Sequence, residues 1–375
     1  MRDAFLRLMR LGIGHAEGAD VTDFPQLGAE DWKALKNLAE EQGLSAIVLD
    51  GLDKLNTNLT DGANQIPKLL RLEWIGEVLQ NFEQRYAQYE KAIGSLAGFY
   101  NQHGFKMMVL KGYACSLDWP TPKHRPCGDI DIWQFGQWRE ADAALSSWFK
   151  SQNGSTVQGS KTEIDNSHHH HTVFYWRDFM VENHYDFINV HHHKSNAEFE
   201  KILKDLGSDD TFGVELYGQK VYMPSPNLHA LFLLKHSMMH FASEGITLRQ
   251  LLDWGFFVKA HGKQVDWPYV LDVLDKFGMR TMFNIFNAVC VEDLGFEADL
   301  FPKGQFEPAL KDRVLNEILS PEFAGELPSC LPMRVSFKIR RWRANEWKHR
   351  LCYNDSMWSA FWSGVWNHLL KPSSI

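Results

Sequence analysis

Val109-Leu110-Lys111-Gly112, followed at short range by Arg125-Pro126-Cys127-Gly128-Asp129-Ile130-Asp131-Ile132, is the stretch whose reading decides the fold. The run Lys106-Met107-Met108-Val109-Leu110 is apolar and stops at Lys111-Gly112, which suits a buried strand ending in a tight turn. Asp129-Ile130-Asp131-Ile132-Trp133 alternates acidic and apolar residues, the pattern of a half-exposed strand. Aspartates at i and i+2 on a strand share a face and lie a few ångströms apart. Each then raises the pKa of the other. A divalent cation removes that cost, and hard oxygen ligands favour Mg²⁺ or Mn²⁺. Such ions can hold a nucleoside triphosphate and polarise its α-phosphate for in-line attack by an acceptor hydroxyl. Gly128, just ahead of the strand, lets backbone approach the phosphates. Lys111 brings an ammonium to the β- and γ-phosphates, and Gly112 keeps the turn behind it tight.

Working outward, residues 137–150 predict a helix with Ala141, Ala144, Leu145 and Trp148 on one face. Thr172–Trp176 and Met180–Phe187 read as two strands joined at Arg177-Asp178. Strand, turn, strand, helix and strand pair make a mixed-sheet core within an α+β fold. Ahead of it the chain reads as helical, with Trp32, Leu35, Leu38 and Ala39 at helical spacing. A long segment from about Pro67 to Gln102 is one helix, or two joined near Gly94. After Pro224 and Pro226 the helical period returns, with helices expected over 248–260, 269–277, 281–293, 334–352 and 356–370. The divisions expected are 1–103 helical, 104–224 α/β core and 225–375 helical, with the active cleft between the sheet and the C-terminal helices.

The 375 residues are 44% hydrophobic and 23% charged, ordinary for a soluble globular protein. No apolar run approaches the ~18 residues of a spanning helix. The first residues lack a compact apolar core before a small-residue cleavage site, so the reading is cytoplasmic. Five widely spaced cysteines without a CxxC pair argue against a disulfide framework and a zinc ribbon. A net charge of −8 gives no general attraction for nucleic acid.

With Glu182-Asn183-His184 added to the opening motifs, the sequence resembles the nucleotidyltransferase superfamily related to DNA polymerase beta. It is more closely similar to a bacterial family of uncharacterised nucleotidyltransferase-fold proteins. That family carries a Leu-Lys-Gly motif, an Arg-x-x-x-Asp-x-Asp motif and a later Glu-x-His strand, here Leu110–Gly112, Arg125–Asp131 and Glu182–His184. The superfamily usually has Gly-Ser where this chain has Lys111-Gly112, so phosphate contacts differ. The resemblance covers the central third, and His236, His240, Arg249 and Asp253 fall where the family tends to carry His and Asp. It implies a metal-dependent transfer of a nucleoside monophosphate from an NTP to an unknown small-molecule, protein or RNA acceptor. Asp129 and Asp131 are the implied metal ligands. Glu182 completes the site or acts as base, with Asp186 in reserve. Lys111 and Arg125 bind phosphates, with Gly112, Gly128 and His184 beside the nucleotide. Two rival readings are a catalytically inactive binding or regulatory module and an RNA-directed transferase of the toxin type.

Other features have plainer readings. His168–His171 and His191–His193 are histidine tracts that can bind metal, but the polar surroundings suggest a solvated loop tip and surface side chains. His236 and His240, one turn apart, read as a packed pair lining the cleft. The basic run Arg334–Arg343 and the stripe Trp358, Trp362 and Trp366 suit either an RNA or membrane surface or, more simply, a helix packed on the bundle with its arginines solvated.

Overall fold

The computed structural model describes residues 1–58, 66–152, 163–191, 193–208, 212–323 and 330–358. Four helices open the chain: α1 (Arg2–Ile13), α2 (Gly18–Thr22), α3 (Ala29–Glu41) and α4 (Ser45–Asn58). On α3 the helical spacing buries Trp32, Leu35 and Ala39. The long segment expected next is α5 (Lys68–Val78) and α6 (Arg85–Gln102), joined by a π-helical turn at Leu79–Gln84. The junction is therefore ahead of Gly94, which lies buried inside α6. A Cβ there would come within 2.8 Å of the Tyr217 ring, so this glycine serves close packing and does not interrupt the helix.

The sheet has six strands: β1 (Met108–Val109), β2 (Ile130–Trp133), β3 (His171–Trp176), β4 (Phe179–His184), β5 (Gly213–Leu216) and β6 (Gln219–Tyr222). Their order is β3-β4-β2-β1-β6-β5. β2 pairs antiparallel with β1 and parallel with β4, β1 pairs parallel with β6, and β3–β4 and β5–β6 are antiparallel hairpins. Between strands lie α7 (Tyr113–Ser116), α8 (Trp138–Gln152) and α9 (Lys194–Gly207). Sequence reading did not foresee α9 or the β5–β6 hairpin. β5 is only four residues long, with Val214 and Leu216 turned to the core and Gly213 and Glu215 exposed, so its alternation is too short to stand out.

Two apolar clusters sandwich the sheet. Ile130, Ile132, Val181 and Phe174 pack with Tyr89, Ile93 and Leu96 of α6 and Leu145 of α8. Met108, Leu110 and Trp133 face the other way, into a larger cluster that includes Phe5 and Trp32 from the N-terminal helices and Leu231, Phe232 and Leu252 from the C-terminal ones. The expectation of a half-exposed β2 is thus corrected: every residue of the strand is buried. The alternating acids are covered by helices from a distant part of the chain, which the local pattern does not encode.

Those C-terminal helices are α10 (Pro226–Ser243), α11 (Leu248–His261), α12 (Trp267–Lys276), α13 (Arg280–Ala288), α14 (Pro308–Leu319), α15 (Leu331–Ala344) and α16 (Glu346–Cys352). The single helix expected over 334–352 is broken at Asn345, and α14 is additional. Lys338, Arg340 and Arg343 on α15 are exposed. Trp358 is also exposed, with its ring 4.9 Å from that of Trp342, while Trp362 and Trp366 lie outside the described residues. Among the described residues no helix is long and apolar enough to cross a membrane.

Candidate active site

The site lies where the β1 turn, β2 and the end of β4 meet α10 and α11. Gly112 makes the turn after β1 with φ 61° and ψ −100°, a conformation open to glycine and strained for other residues. A Cβ there would also stand 2.5 Å from the Tyr89 hydroxyl. That hydroxyl donates to the Asp129 carbonyl at 2.8 Å, and Arg85 Nε donates to the Cys127 carbonyl at 3.1 Å. The loop entering β2 is therefore fastened to α6. Gly128 itself is exposed, with open space where a Cβ would go.

The parallel register of β2 and β4 sets Asp131 beside Glu182. Asn183 points to the opposite face, where its amide donates to Asp142 at 2.9 Å, so Glu182 and His184 share the face of Asp131. Lys111 Nζ lies 3.0 Å from Asp131 Oδ1 and His184 Nε2 3.2 Å from the same oxygen. His184 Nε2 is also 3.5 Å from Glu182 Oε2. Asp131, Glu182 and His184 each bring a ligand-capable atom within 4.8 Å of the others.

Charge is tightly balanced in this space. Burial raises the Asp131 carboxyl pKa, but the Lys111 charge and the His184 hydrogen bond outweigh it and hold the group below the usual carboxylate range. Burial likewise opposes ionisation of Glu182, and its hydrogen bond with His184 again reverses the effect. Burial would neutralise His184, yet its hydrogen bonds to Asp131 and Glu182 push it up to about 9. Asp129 is shifted upward, first by the neighbouring Asp131 charge and then by burial. The like-charge cost expected of the aspartate pair is therefore present and falls on Asp129.

Two observations test whether these residues suit a divalent cation. Asp131 Oδ2 is buried and has no hydrogen-bond partner among the described residues. His184 Nδ1 lies 3.1 Å from the Asp186 carbonyl, so in neutral imidazole it donates there and leaves the Nε2 lone pair facing two carboxylates. A backbone carbonyl on one ring nitrogen and carboxylates around the other is how ligating histidines are oriented. The residues fit a cation, which would take the place now held by the His184 proton.

Across from the carboxylates, α10 and α11 supply Leu233, His236, Ser237, Arg249, Gln250 and Asp253 to a cavity of about 80 Å³ that Lys111, Gly128, Asp129 and Asp131 also line. This volume admits ions and a phosphate, well short of the ~300 Å³ or more of a typical small-molecule site. His236 is held neutral, first by burial and then by the Lys111 charge, and its ring lies 4.5 Å from that of His240.

Several sequence-predicted residues have different surroundings from those expected. Arg125 is buried and makes a two-armed contact with Asp253, Nε–Oδ1 at 2.7 Å and NH2–Oδ2 at 2.8 Å, while NH1 donates to the Pro126 carbonyl. Asp186 pairs with Lys204 and lies past the end of β4. Arg249, by contrast, lines the cavity with its Nε buried and without a hydrogen-bond partner among the described residues. The resemblance marked Arg249 by position only, and its place at the cavity depends on neighbours from the loop before β2 that no local pattern shows.

The histidine tract is the largest correction. His171 is buried on β3 directly opposite His184, so the tract, solvated at His168, leads into the sheet at its other end. Its Nε2 lies 3.8 Å from Glu182 Oε1. His193 is likewise drawn inward, stacked on Tyr353 with ring centroids 3.8 Å apart.

A curated relative, the FMNH(2)-dependent dimethylsulfone monooxygenase of Pseudomonas fluorescens (strain Pf0-1), is 31% identical over 143 residues, covering 36% of this chain and 38% of that protein. The chain therefore spans well under two thirds of that relative's length. No solved structure matches the chain. A family model described as uncharacterised nucleotidyltransferase matches residues 28–295, well over half of the sequence and including every strand of the sheet. The chain belongs to this uncharacterised nucleotidyltransferase family.

Proposed function

We propose that the protein moves a nucleoside monophosphate from a nucleoside triphosphate to a hydroxyl-type acceptor and releases pyrophosphate. The observation that carries this reading is the buried, unpartnered Asp131 Oδ2 beside Glu182 and His184, facing a cavity rimmed with cationic side chains. Asp131, Glu182 and His184, with Asp129 at the strand entrance, would hold Mg²⁺ or Mn²⁺. A bound ion of this kind polarises the α-phosphate and offsets charge on the departing pyrophosphate.

Lys111 and Arg249 reach phosphate oxygens from opposite walls, and we assign to Arg249 the contact that sequence reading gave to Arg125. Arg125 instead ties the loop carrying Asp129 to α11. Open space at Gly128 lets phosphate approach the backbone there. The acceptor oxygen bonds to the α-phosphorus as the bond from that phosphorus to the α,β-bridging oxygen breaks, and the electron pair leaves on pyrophosphate. Glu182 receives the acceptor's proton. Its side chain is 17% exposed against 1% for Asp131, so a second substrate can reach it where it cannot reach Asp131. The small cavity takes the polyphosphate end, with sugar and base outside it. All five cysteines are free, which suits a reducing cytoplasm.

Titration calorimetry with ATP, GTP, CTP and UTP, with and without Mg²⁺, tests the reading. Metal-dependent binding of one nucleotide, lost in Asp129→Asn/Asp131→Asn, is expected. Binding indifferent to both metal and substitution would overturn it.

A further inference from the structure

His170, His171 and His184 form a group the transfer reaction does not require. Their ring centroids lie 4.3 Å (170–171), 5.2 Å (171–184) and 5.4 Å (170–184) apart, and each offers a nitrogen within 4.8 Å of the others. The backbone holds them in place. His171 and His184 are cross-strand partners, and the N–H groups of Tyr185 and Asp186 both donate to the His170 carbonyl, at 3.0 and 3.1 Å. His170 Nδ1 is buried with no hydrogen-bond partner among the described residues, while His170 Nε2 and His171 Nδ1 face each other at 3.1 Å. Burying polar nitrogens without partners costs roughly 1–3 kcal/mol each. A sheet edge that gathers three imidazoles and leaves His170 Nδ1 buried at that cost is suited to an ion that prefers nitrogen.

We propose that His170, His171 and His184 bind a zinc-class divalent transition ion, beside the carboxylate position and sharing His184 with it. This rests on the proposed function only for the identity of the neighbouring position. Three imidazole nitrogens suit Zn²⁺ and Co²⁺, whereas Mg²⁺ prefers oxygen and draws chiefly on the carboxylates of the neighbouring position. A tetrahedral ion with bonds of about 2.0–2.1 Å sets nitrogens roughly 3.3 Å apart, so the rings need to close by an ångström or so. His184 has one free lone pair when its other nitrogen donates to the Asp186 carbonyl. The imidazole and carboxylate positions therefore compete for it, and a zinc-class ion draws His184 away from Asp131 and Glu182.

The test uses the full chain, stripped of metal by chelator and titrated with Co²⁺ in the absence of nucleotide. Visible absorption reports the ligand field, and Zn²⁺ displacement reports stoichiometry. One equivalent of Co²⁺ with tetrahedral-type absorption is expected, weakened at least about tenfold by His170→Gln and by His171→Ala and retained in Asp131→Asn. His170→Gln changes a side chain that is only partly buried, so it tests the site even if His171→Ala does not fold. Absence of Co²⁺ binding by the folded chain, or binding that ignores His170→Gln, would refute the proposal. Mg²⁺-dependent nucleotide binding, measured separately and expected to survive His170→Gln, shows whether the proposed function stands when this one fails.

Discussion

Asp253→Asn probes the junction between α11 and the loop that carries Asp129. In the native chain Asp253 accepts two charge-assisted hydrogen bonds from Arg125, at 2.7 and 2.8 Å, and one from Trp119 Nε1 at 2.9 Å. The side chains of the pair are only 6% and 7% exposed, so water cannot replace a lost partner. Hydrogen bonds to charged groups contribute about 1.5–3 kcal/mol each. Two of them agree with the ~3–5 kcal/mol measured when one member of a buried pair is removed. Asparagine keeps an oxygen for Trp119 and nearly the same volume, so the loss isolates the charge. Urea unfolding should show the variant less stable by at least about 3 kcal/mol, a large part of a typical ~5–15 kcal/mol total. Adding Arg125→Met to the same chain removes the stranded charge and should restore at least half of the loss. A cost below about 1 kcal/mol for Asp253→Asn, or no recovery in the double variant, would show that the pair is not closed and would return Arg125 to the candidates for phosphate binding.

Other consequences follow from single positions. Arg249→Met should weaken nucleotide binding about tenfold to a hundredfold in calorimetry while leaving its metal dependence, as loss of a charged hydrogen bond implies; unchanged affinity would remove Arg249 from the site. Gly112→Ala forces a strained φ and pushes on the Tyr89 hydroxyl, so it should lower stability by about 1–3 kcal/mol in thermal unfolding, whereas Gly128→Ala, with open space around it, should fold normally and weaken only nucleotide binding. Lys235 is 1% exposed, and burial lowers its pKa to about 8, below its ordinary value near 10.5. The folded chain then binds fewer protons than the unfolded one between those values. Its penalty is full below pH 8 and is relieved as pH rises toward 10.5. Lys235→Met should therefore be relatively more stable near pH 7, by about 3 kcal/mol that disappears by pH 10.5; a pH-independent difference in unfolding free energy would contradict this.

Much of the fold was legible because its signals are local. The apolar run into Lys111-Gly112, the alternation at Asp129–Trp133, the amphipathic period behind α8 and the turn at Arg177-Asp178 each depend on residues a few positions apart. Strand periodicity alone was enough to put Glu182 and His184 on one face. The family resemblance then attached chemistry to Lys111, Asp129, Asp131 and Glu182.

What the tertiary structure decided is which of those faces is covered, and by what. Asp131 belongs to an alternating pattern that reads as wet, yet α10 and α11, more than ninety residues later in the chain, close over it. Arg125 looked like a free cation ahead of the metal motif until Asp253 met it across 128 positions of sequence. His171 lay in a tract that looked solvated, and only its pairing with His184 across the hairpin brought it to the site. Periodicity specifies the direction of a side chain relative to its own element. Burial, pKa and the partner of a charge depend on packing between elements far apart in the chain, so they appear only when the elements are assembled.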